Sequence, residues 1–209
     1  MNRIIIIFIL FLFLVLIFSG CSSTQNPATK TDYYTLEYDS PALKDLPALP
    51  FVLRVERFTV APLYNSHKII YSDKPFRRNE YGYHKWRANP GDLVTYFLAR
   101  DLRHSALFKG ISVMDSRLAY SYAITGSVDE FYELDSKQTW EAVLTFTITL
   151  TRENEPDISK NIIFQKKYHT REICLKKNPQ GLAEAMSKGM KKLSRSVITD
   201  IHEALSKDL

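Results

Sequence analysis

The 209-residue sequence predicts an α+β fold, an antiparallel sheet with two main helices packed on it, and three stretches carry that expectation. Trp140, Ala142, Leu144, Phe146, Ile148 and Leu150 alternate with Thr139, Glu141, Val143, Thr145, Thr147, Thr149 and Thr151, as in a strand with one buried face. Asn89 is a good N-cap, Pro90 suits a first helical turn, and Val94, Phe97, Leu98 and Leu102 recur on one face, which predicts a helix over 90–105. Pro179 opens a second helix, in which Leu182, Met186, Met190, Leu193, Val197 and Ile201 form a stripe opposite Lys188, Lys191, Lys192 and Arg195.

In chain order, Arg3 precedes an unbroken apolar run of fifteen residues, Ile4 to Phe18. A membrane-spanning helix needs roughly 20 apolar residues to cross about 30 Å of hydrocarbon, so the run reads as the core of a signal peptide. Phe18-Ser19-Gly20-Cys21 puts small residues where a signal peptidase cuts, and no Lys or Arg cluster follows to stop transfer. Residues 1–20 are therefore expected to be a signal peptide. Residues 22–31, SSTQNPATKT, are polar and read as a flexible tether leading from Cys21 to one compact domain, 32–209. The mean reach of a tether of about ten residues is near 18 Å, so the domain would stay close to its anchor.

Strand signals follow at Tyr33–Tyr38, Phe51–Val60, Lys68–Ser72 and Glu80–His84 before the first helix. After it, Tyr120, Tyr122, Ile124, Val128, Tyr132 and Leu134 share a period of two, and a turn at Asp135–Gln138 joins them to the alternating run. Asn161–Thr170 forms a third run beyond the polar loop Glu153–Lys160, so the three predict an antiparallel meander.

Phe18 to Cys21 resemble the bacterial lipobox, whose cysteine is acylated and becomes the new N-terminus; Phe18 stands where Leu, Val or Ile is usual. The alternative is an ordinary secretory signal with a chance cysteine. Two or three acyl chains would anchor the chain permanently, since each buried CH₂ contributes about 0.8 kcal/mol. Ser22 occupies the position where an Asp would signal inner-membrane retention, so the resemblance implies the periplasmic face of the outer membrane. With Cys21 acylated, Cys174 has no partner for an internal disulfide; it reads as a partly buried small hydrophobe or, alternatively, a reactive thiol.

Removing residues 1–20 takes away only Arg3, leaving 27 Lys and Arg against 23 Asp and Glu, a formal charge of +4. That modest excess suits anionic head groups or an acidic partner, and no nucleic-acid motif accompanies it. His67, His84, His104, His169 and His202 are scattered, without the spacing of a metal site, and there is no nucleophile elbow, phosphate loop or dinucleotide turn. The expectation is a protein with no catalytic residues, no metal and no cofactor.

Between Tyr64 and Trp86 the sequence holds Tyr64, Tyr71, Phe76, Tyr81, Tyr83 and Trp86 among Lys68, Lys74, Arg77, Arg78 and Lys85. Such a segment either alternates its rings into the core or presents an interface, where Tyr, Trp and Arg are enriched. Tyr71, Arg77, Arg78, Tyr83 and Trp86 are the candidates for a partner surface. The basic stripe of the last helix reads first as a solvated face.

Several features in order carry a resemblance to a family. Tyr33-Tyr34-Thr35-Leu36 follows soon after the cysteine, and Val52–Pro62 ends in Val60-Ala61-Pro62. Ile69-Ile70-Tyr71, a tyrosine-rich hairpin and Trp86 precede the helix opened by Pro90 that includes Leu98 and Leu102. Ser105-Ala106-Leu107-Phe108, Tyr122–Val128 and a C-terminal helix complete the order. On these the sequence resembles the ABC-type transport auxiliary lipoproteins, the PqiC-like partners of MCE-domain lipid-transport systems.

The resemblance implies a non-catalytic outer-membrane lipoprotein working with an inner-membrane ABC permease and a periplasm-spanning MCE protein to move lipids or other apolar molecules. Its anchor would fix one end of the conduit, and a homo-oligomeric ring is the family-level expectation. The competing expectation is a scaffold or regulator for cell-wall synthesis or outer-membrane assembly, which would share the anchor, tether and small domain. The aromatic hairpin favours transport.

Overall fold

The computed structural model describes Arg3, Ile5 and residues 30–43, 46–113, 116–136, 138–153 and 155–208. Apart from Arg3 and Ile5, the expected signal peptide, Cys21 and nearly all of the tether lie outside the described residues. In order, the elements are β1 (Asp32–Tyr34), β2 (Leu49–Val55), β3 (Thr59–Val60), β4 (Lys68–Ser72), β5 (Asn79–Trp86), α1 (Pro90–Ser105), β6 (Phe108–Val113), β7 (Tyr122–Asp135), β8 (Trp140–Arg152), α2 (Ile158–Asn161), β9 (Ile162–Ile173) and α3 (Pro179–Leu205). Thr31–Leu209 forms one compact unit. No helix among the described residues is long and apolar enough to cross a membrane.

The fold is α+β, organised around β7. Along one edge β7 pairs antiparallel with β8 from Tyr122↔Arg152 to Asp135↔Trp140, and β8 pairs antiparallel with β9, which is the expected meander. Along its other edge β7 takes β2, β3 and β4 in succession, all parallel. β6 runs parallel to β2, β5 antiparallel to β4, and β1 parallel to β5. The sheet is therefore mixed, a correction to the antiparallel expectation. Alternation reports which face is buried and is silent on the direction of a neighbour. Parallel neighbours need long connections, and the β4–β5 hairpin and α1 lie between β2 and β6.

α1 begins and ends where the sequence predicts, with the Asn89 side chain accepting from the Gly91 amide at 2.9 Å. A cap of this kind contributes about 1 kcal/mol. The α3 stripe of Leu182, Met186, Met190, Leu193, Val197 and Ile201 is buried. It packs on β8, β9 and α1. At about 1.5–3 kcal/mol per side chain, these six contribute on the order of 10 kcal/mol before chain entropy is counted. On β8, Ala142, Leu144, Phe146, Ile148 and Leu150 are all buried as well. Lys188, Lys191, Lys192 and Arg195 are exposed, and Lys192 pairs with Glu172 at 3.2 Å, so the basic stripe is a solvated face.

The first half departs further from its sequence pattern. The expected strand Phe51–Val60 breaks into β2 and β3 because Phe58 turns inward, its amide donating to Thr95 Oγ1 at 2.9 Å and its ring meeting Phe146 edge-on. The expected strand Tyr33–Tyr38 stops at Tyr34, and Tyr38 instead donates to the buried Asp101 of α1 at 2.8 Å, beside Ser40 at 2.7 Å. β6 and the one-turn α2 were not foreseen from the sequence pattern.

Candidate partner surface

The β4–β5 hairpin carries the aromatic and basic segment, and its tip, Asp73 to Arg78, is the most exposed apolar point described. Phe76 adopts φ 61° and its side chain is fully exposed. Arg77 closes back on Asp73 as an i,i+4 ion pair, with Nε donating at 2.9 Å, and this hydrogen bond holds the Asp73 carboxyl below its ordinary range. Arg78 turns the other way, Nη1 donating to Ser72 Oγ at 2.9 Å and to the Arg77 carbonyl at 3.1 Å. Its guanidinium lies 4.5 Å over the Tyr132 ring, which stacks on Tyr64 from the short 3₁₀ turn at Pro62–Tyr64.

The five candidate residues do not form one surface. Arg77 and Tyr83 are exposed, Arg78 and Tyr71 are half-buried, and the Tyr71 ring lies 5.0 Å from that of Tyr81. Trp86 is in the core, 1% exposed, edge-on to Phe131 at 5.1 Å. The separation follows from a bulge: pairing slips between Lys68↔Lys85 and Ile70↔Glu80, so two steps along β4 face five along β5. Inward and outward positions are not continuous through such an irregularity.

Inside the hairpin, Glu133 of β7 is fully buried, and Tyr81 Oη lies 3.0 and 3.2 Å from its two oxygens. No cation pairs with it among the described residues. Burial raises the carboxyl to about 7, Asp135 adds to the rise, and the Tyr81 hydrogen bond opposes it. Cys174 is buried too, and its thiol is pushed up to about 12, so it stays protonated at neutral pH and behaves as a small hydrophobe.

The histidines remain apart, His84 beside Tyr34, His104 beside Ser40, His169 beside Thr145 and His202 on the Pro47 carbonyl. Among the described residues no group of three or more His, Cys, Asp or Glu could hold a metal ion.

The sequence matches the family described as ABC-type transport auxiliary lipoprotein component over residues 34–198, from β1 to within α3. The chain belongs to that family. Solved structures agree in fold. XCC0632 from Xanthomonas campestris is 12% identical with a TM-score of 0.77, covering 85% of this chain and 98% of its own. An uncharacterized protein is 14% identical with a TM-score of 0.63, covering 82% and 99%. The hypothetical protein CT253 from Chlamydia trachomatis is 8% identical with a TM-score of 0.53, covering 75% and 98%. No relative among curated proteins matches the chain.

In this auxiliary lipoprotein the exposed aromatic and Arg side chains of the segment are thus Phe76, Arg77 and Tyr83. Phe76 belonged to the aromatic segment but was not among the candidates, although an apolar residue after Lys74-Pro75 in a turn is itself a signal of exposure. Glu133 had no sequence signal, since it sits in the alternating run among residues that read as half-buried.

Proposed function

We propose that the chain is a non-catalytic, lipid-anchored component of an ABC/MCE-type system that moves lipids or other apolar molecules between membranes. The observation that carries this reading is the family match from the end of β1 through β9 and most of α3. Acyl chains on Cys21 hold the domain at the periplasmic face of the outer membrane, and the tether keeps it within about 18 Å on average. The β4–β5 hairpin, with Phe76 and Arg77 exposed at its tip and Tyr83 on β5, supplies the docking contact with the MCE-domain protein, because interface hot spots favour aromatic and Arg side chains. Copies of the domain assemble into a ring that receives the end of the conduit.

The anchor is tested by Cys21→Ser. The substituted chain is expected to lose its acyl chains and to appear as an uncut or soluble form, seen by mass spectrometry of the N-terminus. Its domain should melt as before, because Cys21 precedes the compact unit that begins at Thr31. Full partition of the processed mutant into detergent would refute lipid anchoring through Cys21.

A further inference from the structure

Beside the hairpin tip, on the opposite side of β7 from Glu133, lies a cavity of about 730 Å³. Leu63, Tyr132 and Leu134 give it an apolar floor, Phe76 forms part of its rim, and Arg78 and Arg171 contribute two guanidinium groups. Neither arginine forms an ion pair among the described residues. Arg78 Nη1 already donates to Ser72 and the Arg77 carbonyl and its Nε is closed to solvent, so Arg78 offers the cavity its positive charge and Arg171 the open donors.

We infer that this cavity binds a single-chain anionic lipid, its phosphate against Arg78 and Arg171 and its acyl chain along Leu63, Tyr132 and Leu134. The volume is within the range of ligand sites, roughly 300–1,000 Å³, and the mix of apolar walls with a few convergent polar groups is what such sites share. Lys74 also lines the cavity, while of its two acids Asp73 is already paired with Arg77, leaving Asp135. The lining is therefore cationic on balance. A planar guanidinium fork fits phosphate oxygens two at a time, which the exposed Arg171 can supply, while the Arg78 charge is already held in place over Tyr132. Binding rests on the cavity alone; only the further step of calling the lipid cargo rests on the transport reading.

The test uses the full chain carrying Cys21→Ser, so that the anchor's own acyl chains do not compete, with lysophosphatidylglycerol as the probe below its micellar concentration. Saturable one-to-one binding is expected, at least about tenfold tighter than that of a neutral monoacylglycerol of the same chain length. Arg171→Glu and Leu63→Asp, both at exposed positions, should each weaken it about tenfold, whereas Lys188→Glu on the solvated face of α3 should leave it unchanged. Inorganic phosphate alone should not displace the lipid. Equal binding of the neutral lipid, displacement by phosphate alone, or indifference to Arg171→Glu and Leu63→Asp would each overturn the inference. Capture of a transporter partner is read separately, so loss of lipid binding and loss of the transport reading are distinguishable.

Discussion

Trp86→Ala is expected to lower the melting temperature of the domain by about 10 °C or more. Truncating a buried Trp costs about 3–5 kcal/mol, and a domain of this size loses roughly 2–4 °C per kcal/mol. Trp86, the last residue of β5, packs edge-on against Phe131 of β7, so its loss leaves a cavity in a close-packed core. The paired control is Tyr83→Ala. With half its surface in solvent, Tyr83 should change stability by no more than about 0.5 kcal/mol, as surface substitutions usually do. Thermal melts of the two variants check this: similar small shifts for both would contradict the placement of Trp86.

The second large effect is a pH dependence that Glu133 imposes. Its carboxyl titrates near 7 in the fold against an ordinary 4.5, so the folded state holds a proton that the unfolded chain gives up. Stability from this group is complete below pH 4.5, declines as pH rises from there to about 7, and stays lost above. At about 1.4 kcal/mol per pH unit, the loss is on the order of 3 kcal/mol. Glu133→Gln keeps the shape and the Tyr81 contact but cannot ionise. Melting curves from pH 5 to pH 8 should therefore fall for the wild type by several degrees more than for the variant, and the variant should be the more stable at pH 8. Parallel pH profiles would show that the carboxyl is not buried without a counter-ion.

How much of this was legible follows from where the physics is local. Asn89-Pro90 and the stripe through Leu102 placed α1 because a cap and a period of 3.6 are written within one element. β8 and α3 were legible for the same reason, their alternation and period marking Leu144 and Met190 as inward, although the middle of β8 buries its other face too, at Val143 and Thr145. The parallel pairing of β7 with β2, β3 and β4 was not, because it depends on chain connections rather than on any run of residues. Trp86 was misplaced as a surface candidate by the bulge between Lys68 and Ile70, which breaks the alternation on which a reading of the hairpin depends. The two charged features that matter most, Glu133 inward and Arg171 at the cavity, come from β7 and β9, the two strands that flank β8 in the meander. Only the sheet register decides that they end on opposite faces.

The central claim, that this lipoprotein docks a transport conduit through its β4–β5 hairpin, is tested most directly by capture. The full-length acylated chain, crosslinked reversibly in native membranes and purified in detergent, is compared with the Arg77→Glu, Tyr83→Ala double variant, both at equal abundance. The expected result is that the wild type retains an MCE-domain protein with its ABC permease and ATPase, and that the variant retains at least about tenfold less, since hot-spot losses commonly reach about 2 kcal/mol. Retention of cell-wall synthases or outer-membrane assembly factors in place of a transporter would contradict the claim, as would equal capture of the transporter by the double variant.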